Sequence, residues 1–207
     1  TGSAGTIGHG LGGVPNWIVT KKRGGSSDWA VYQTDVGNQY YLEWNSSNAR
    51  QSASSVWGDT TPTALSFTVG GANDKNNASS ATYVSYCFKS VKGYSKFGSY
   101  TGNANTDGPF IYTGFKPAFL MLKRYDTTGN WLMYDNKRDI DNEALSYLIP
   151  NSTDNESTAA TGLDLLSNGF KLRISGGSWN GSGNNYIYMA FAQSPIVASN
   201  NVIGLAR

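Results

Sequence analysis

Charge is scarce in this chain of 207 residues: Asp, Glu, Lys and Arg make up 14% of it, and the formal net charge is +2. That leaves out the basic footprint with which a protein neutralises phosphates, so neither nucleic acid nor insertion into or onto a membrane is indicated, and neutral or sugar-like partners stay open. Long apolar runs are missing, and there is no signal-peptide pattern. Cysteine is nearly absent, since Cys87 stands alone and no intrachain disulfide can form. A lone cysteine reads either as a reactive thiol or as a small buried apolar residue. His9 is the single histidine, in the segment Gly8-His9-Gly10-Leu11-Gly12, where a hydrolase would also need a nucleophile and an orienting carboxylate beside it. No Gly-Lys-Ser/Thr follows any of the glycine-rich segments, which removes the phosphate-cradle reading.

What is present is turn chemistry and aromatic rings: 25 Gly and 13% Phe, Trp and Tyr, with abundant Ser, Thr and Asn. That composition describes short strands joined by many turns, and it predicts an all-β protein. Strands are expected at residues 17–22, 28–33, 40–44, 64–69 and 82–89, and again at 118–123, 130–134, 144–148, 169–174 and 186–192. Regular spacing with turn signals favours sandwich-like units.

The second series of strands echoes the first. Asp28-Trp29-Ala30-Val31-Tyr32 lies over Asn130-Trp131-Leu132-Met133-Tyr134, and Pro15 and Lys21 fall on Pro117 and Lys123 at the same interval. With one residue inserted, Phe67 falls on Phe170, Tyr83 on Tyr186, Cys87 on Ala190 and Phe88 on Phe191. The pattern is read as a tandem duplication of a β-sandwich-like unit, residues 1–100 and 101–207, in which matched side chains belong to a shared scaffold. Residues 91–100 alternate apolar and polar side chains and read as a strand included in the first unit. Residues 198–207 read as a C-terminal extension leading to a neighbouring subunit. Cys87, matched by Ala190, goes with the scaffold, and His9 has no histidine counterpart.

Function is then sought where the two halves diverge. Trp57 with Asp59, and Trp179 with Asn180, lie in polar loops with no Trp at the matching position, and a flat ring beside polar groups suits a sugar face. The same rings can instead fold over the end of a sandwich or fill a subunit contact. Asp139, Asp141 and Glu143 supply oxygens at alternate positions, which fits Ca²⁺; a solvated loop with local ion pairs is the other reading, and no other cofactor is indicated.

Several longer runs are distinctive: residues 93–102 and 107–118, Tyr134-Asp135-Asn136-Lys137-Arg138, residues 163–171, and Tyr186-Ile187-Tyr188-Met189-Ala190-Phe191-Ala192. In this order, after Ile7-Gly8-His9-Gly10-Leu11-Gly12 and Pro15, they resemble a poorly characterised domain of bacteriophage tail and tail-fibre proteins, often found C-terminal to a concanavalin-A-like lectin module. The resemblance implies a virion location outside the cell and a non-enzymatic role in attaching to a host-surface glycan or receptor. A structural connector or decoration protein joining virion subunits is the alternative, and a capsule-degrading enzyme is third. It also implies a homo-oligomer, trimer or higher. The family contributes no catalytic or binding residues.

Overall fold

In a computed structural model of the chain, residues 1–52 and 54–193 are described, together with the backbone of two short strands beyond them. Residues 1–89 and 90–207 form two compact units. The first contains β1 (Gly5–Gly8), β2 (Trp17–Lys22), β3 (Ala30–Gln33), β4 (Tyr40–Glu43), β5 (Gln51–Ser52), a one-turn helix α1 (Ser54–Trp57), β6 (Ser66–Val69) and β7 (Tyr83–Phe88). The second contains β8 (Ser95–Thr101), β9 (Phe110–Tyr112), β10 (Pro117–Arg124), β11 (Trp131–Asp135), β12 (Ala144–Tyr147), β13 (Ser157–Leu166), β14 (Gly169–Leu172), β15 (Asn185–Ala192), β16 (Ile196–Val197) and β17 (Ile203–Gly204). The fold is all-β, as composition and turn spacing imply, and every strand pairing is antiparallel.

Each unit is sandwich-like. In the first, a five-stranded sheet β5-β4-β3-β2-β7 accompanies the two-stranded sheet β1-β6. Ile18, Tyr32, Trp57 and Phe67 meet in its core. In the second, sheets β11-β10-β15-β8 and β12-β13-β14-β9 share a core containing Leu120, Leu122, Tyr134, Leu163, Phe170 and Tyr188. The alternation of β2 and β10 puts one side chain in two on that inner face.

Registers coincide between the units at the centre of each larger sheet. Ile18 on β2 faces Tyr32 and Cys87, and Leu120 on β10 faces Tyr134 and Ala190. Ile7 pairs with Phe67 on β1 and β6, as Ile111 does with Phe170 on β9 and β14. Lys21 and Lys123 each donate to the carbonyl of the following residue, at 3.0 and 2.7 Å. Each ammonium also lies 6.0 Å from an indole centroid, Trp29 or Trp131. The amides of those tryptophans are held alike, by Asn45 Oδ1 at 2.9 Å and Asn151 Oδ1 at 2.8 Å.

The correspondence loosens at β4, which pairs with β3, whereas Met133 of β11 bridges Leu148 just after β12 and β12 itself joins β13 in the opposite sheet. The strand expected within residues 91–100 is present as β8, but it pairs along β15 and so lies within the second unit, after a boundary at Lys89 and Ser90. The extension expected at residues 198–207 lies outside the described residues, apart from the backbone of β17.

Candidate functional site

The four residues offered as sugar contacts do not form a surface site. Trp57 closes α1 and is only 2% exposed. Its ring meets Tyr32 edge-on at 5.8 Å, and its Nε1 has no hydrogen-bond partner. A turn of helix has rotated Val56 and Trp57 out of a polar segment and into the core, and no ring face is left for a ligand. Asp59 is exposed, with a positive φ of 50°, but it stands without that ring. Trp179 is half-buried; its Nε1 donates to Tyr134 Oη at 2.7 Å and its ring meets Tyr147 edge-on at 5.5 Å.

Asn180 is 0% exposed and acts as a loop lock. Its Nδ2 donates to Asn103 Oδ1, Asn105 O and Ile174 O at 2.8 to 3.0 Å, while its Oδ1 accepts from the Asn103 amide at 2.8 Å. Removing it strands several buried main-chain groups, so Asn180→Ala is expected to lower unfolding free energy by about 1.5 kcal/mol in a denaturant titration. A change of a few tenths would show that water replaces the amide.

The acidic segment disperses in the same way. Asp139 accepts from the amides of Leu145 and Ser146 at 2.8 and 2.6 Å, and Glu143 accepts from the Gly162 amide at 2.9 Å. These carboxylates tie strand ends together rather than converging with Asp141, and among the described residues no group of three or more His, Cys, Asp or Glu side chains is placed to hold a metal. Asp135 is partly buried, which opposes its charge, but the amides of Lys137 and Arg138 and the Arg138 guanidinium outweigh this and lower its pKa. A glycosidase acid needs the opposite shift.

A cavity of about 330 Å³ opens in the first unit beside β7, lined by Ile7, Gly8, His9, Phe67, Asn76, Tyr83, Ser85 and Cys87. Its polar groups are already engaged. His9 Nδ1 accepts from the Leu11 amide at 3.2 Å and Nε2 lies 3.1 Å from Thr63 O, the pairing expected with a proton on Nε2. Both nitrogens are thus spent on loop geometry. Asn76 Nδ2 donates to Val56 O at 2.6 Å, and the Ser85 hydroxyl lies 3.0 Å from that of Thr20. Burial pushes the Cys87 thiol up to about 11, away from thiolate chemistry. Its volume is at the small end of the range for ligand pockets.

A second feature lies in the other unit. Phe110 and Tyr112 on β9 are 45% and 65% exposed, on either side of the buried Ile111. On β14, Lys171 faces Phe110 and Gly169 faces Tyr112. Lys171 pairs with Asp107 at 2.8 Å, and Arg173 with Asp164 at 2.7 Å. Gly169 is required here, because a Cβ would come 2.1 Å from Ile111 O and 3.0 Å from the Phe110 ring. Sequence reasoning missed this pair, although the alternation Phe110-Ile111-Tyr112 carries two large rings on the face opposite an aliphatic one.

A family model described as a domain of unknown function, DUF7483, matches residues 1–195. No curated protein matches the chain, and no solved structure does.

Proposed function

The chain belongs to the DUF7483 family; on the resemblance of its sequence motifs and the exposure of two rings on β9, we propose that it is a non-enzymatic attachment module of a phage tail or tail fibre that holds a neutral sugar against the aromatic strip of β9. The observation that carries this is the exposure of Phe110 and Tyr112 beside the paired charges of Lys171 and Arg173. An apolar platform ringed by a few placed polar groups suits the two chemistries of a sugar. The phage setting rests on the resemblance of the sequence motifs, and with it go a virion location, a host-surface partner and a symmetric homo-oligomer, trimer or higher. The coinciding registers support reading the two units as copies of one ancestral unit.

A glycan array separates this reading from its rivals. The parent is expected to bind a defined neutral glycan, and Tyr112→Ala to bind it about tenfold more weakly, the loss of one stacking contact. No binding by the parent sinks the sugar part of the reading, and equal binding by the variant moves the platform elsewhere. A second reading, a connector between virion subunits, is favoured by one separate observation, the place of β7 at the edge of its sheet among the described residues.

A further inference from the structure

β15 in the second unit is hydrogen-bonded on both sides, to β10 and to β8. Its counterpart in the first unit, β7, pairs with β2, and among the described residues no strand lies on its other side. The corners of the two ladders match: the Arg23 amide donates to Thr82 O at 2.8 Å, and the Tyr125 amide donates to Asn185 O at 3.1 Å. In an antiparallel ladder main-chain groups turn alternately to one neighbour and the other. Thr82, Val84 and Tyr86 therefore turn to β2, while Tyr83, Ser85 and Cys87 turn outward. In the second unit the matching residues Tyr186, Tyr188 and Ala190 face Tyr100, Gly98 and Lys96 of β8, and the Gly102 amide continues that ladder to Asn184 O at 2.9 Å.

The side chains differ in a way that specifies the missing strand. Tyr100 of β8 stacks on Tyr186, with centroids 4.8 Å apart and planes 7° apart, and Tyr83 is the residue at the Tyr186 position. Opposite Tyr188, β8 carries Gly98, where a Cβ would come 2.8 Å from Tyr188 Oη. The first unit has Ser85 at that position, a small side chain that lines the 330 Å³ cavity. A strand added here meets space where β8 meets a ring.

We propose that the open edge of β7 is a strand-docking site, where a neighbouring polypeptide adds an extended strand antiparallel to β7 and seats a large apolar side chain in the cavity opposite Ser85. Main-chain hydrogen bonds to Tyr83, Ser85 and Cys87 give the pairing its direction, and the cavity gives it a sequence preference. The incoming strand has the pattern of β8, Ser-Lys-Phe-Gly-Ser-Tyr-Thr, with the glycine replaced by a residue such as Leu. It does not depend on the sugar reading, which involves β9.

The test uses the full chain and three synthetic peptides: the β8 sequence, the same peptide with Leu for Gly, and the Leu peptide N-methylated at its tyrosine. The Leu peptide is expected to bind saturably, to shift the amide resonances of Tyr83, Ser85 and Cys87, and to protect them from exchange. N-methylation should weaken it about tenfold, because one main-chain donor is lost. The Gly peptide should also bind more weakly, and Ser85→Tyr should invert the preference between Leu and Gly. No saturable shift at millimolar peptide, shifts confined to residues away from β7, or indifference to both the Leu and the N-methyl change would each overturn the proposal. Should Ser85→Tyr not fold, the three peptides on the parent still decide it.

Discussion

Trp57→Ala is expected to lower the unfolding free energy by about 3 to 5 kcal/mol, the largest effect of any single truncation considered. The ring is 2% exposed and packs with Tyr32, Val56, Phe67 and Val69. A one-turn helix is not stable by itself, so α1 depends on the burial of Val56 and Trp57 and on hydrogen bonds from Asn73, Asn76 and Gly70 to its carbonyls. Loss of the ring leaves a cavity and also releases the segment that carries it. Trp57→Phe provides the contrast. The indole Nε1 has no partner, so replacing it forfeits no hydrogen bond, and the cost should stay under about 1.5 kcal/mol. Urea titrations of both variants decide between core and surface roles. A sugar platform on an exposed loop would change stability by under about 0.5 kcal/mol on truncation to alanine.

The misreading of Trp57 shows which parts of this protein its sequence exposes. Turn residues and alternation suffice for β2, β3, β10, β11 and β15, which carry large apolar side chains against a core and lie close to Gly, Asn or Asp, and β7 is legible from its aromatic alternation alone. The central register could be read from matched pairs such as Tyr32 and Tyr134. β13 was not legible: its first half, Ser157-Thr158-Ala159-Ala160-Thr161, is small and polar, and it is a strand because β12 and β14 supply ladder partners. Divergence between the halves at Trp57 and Trp179 reads, from sequence alone, as a sign of function. It instead reflects two ways of filling a sandwich, with α1 closing one core and β13 the other. Polar neighbours in sequence do not report burial, since one helical turn takes Trp57 inside and a hydrogen bond to Tyr134 holds Trp179 half-buried. The cavity beside β7 is out of reach for a further reason: its lining comes from β1, β6, β7 and the loop at Asn76, which are far apart in sequence.

Lys123 should make the stability of the chain rise with pH in mildly alkaline solution. It is 0% exposed, and burial, helped by the Arg124 guanidinium, lowers its pKa from 10.5 to about 8. Between those values the unfolded chain holds a proton that the folded chain has released, so stability increases with pH across that window. The penalty is complete below pH 8 and gone above 10.5, about 3 kcal/mol in all. Other groups pull the other way: burial raises the Cys87 thiol from 9.0 to about 11 and also raises Tyr32, Tyr100 and Tyr134, so the folded chain keeps protons the unfolded chain loses, and stability falls above about pH 9. Comparing the parent with Lys123→Met cancels those groups, which are common to both. The stability of the parent relative to the variant is expected to improve by about 2 kcal/mol from pH 7 to pH 9.5. The opposing influence is on the same side chain: its Nζ donates to Arg124 O and Gly129 O, each at 2.7 Å, and lies over the Trp131 ring, and all three favour the charged form. Loss of those hydrogen bonds in the variant shifts its stability by a constant and leaves the slope alone. Parallel profiles for parent and variant would therefore mean that the carbonyls and the ring outweigh burial, and that a fully buried ammonium is kept charged by them at every pH where the chain is folded.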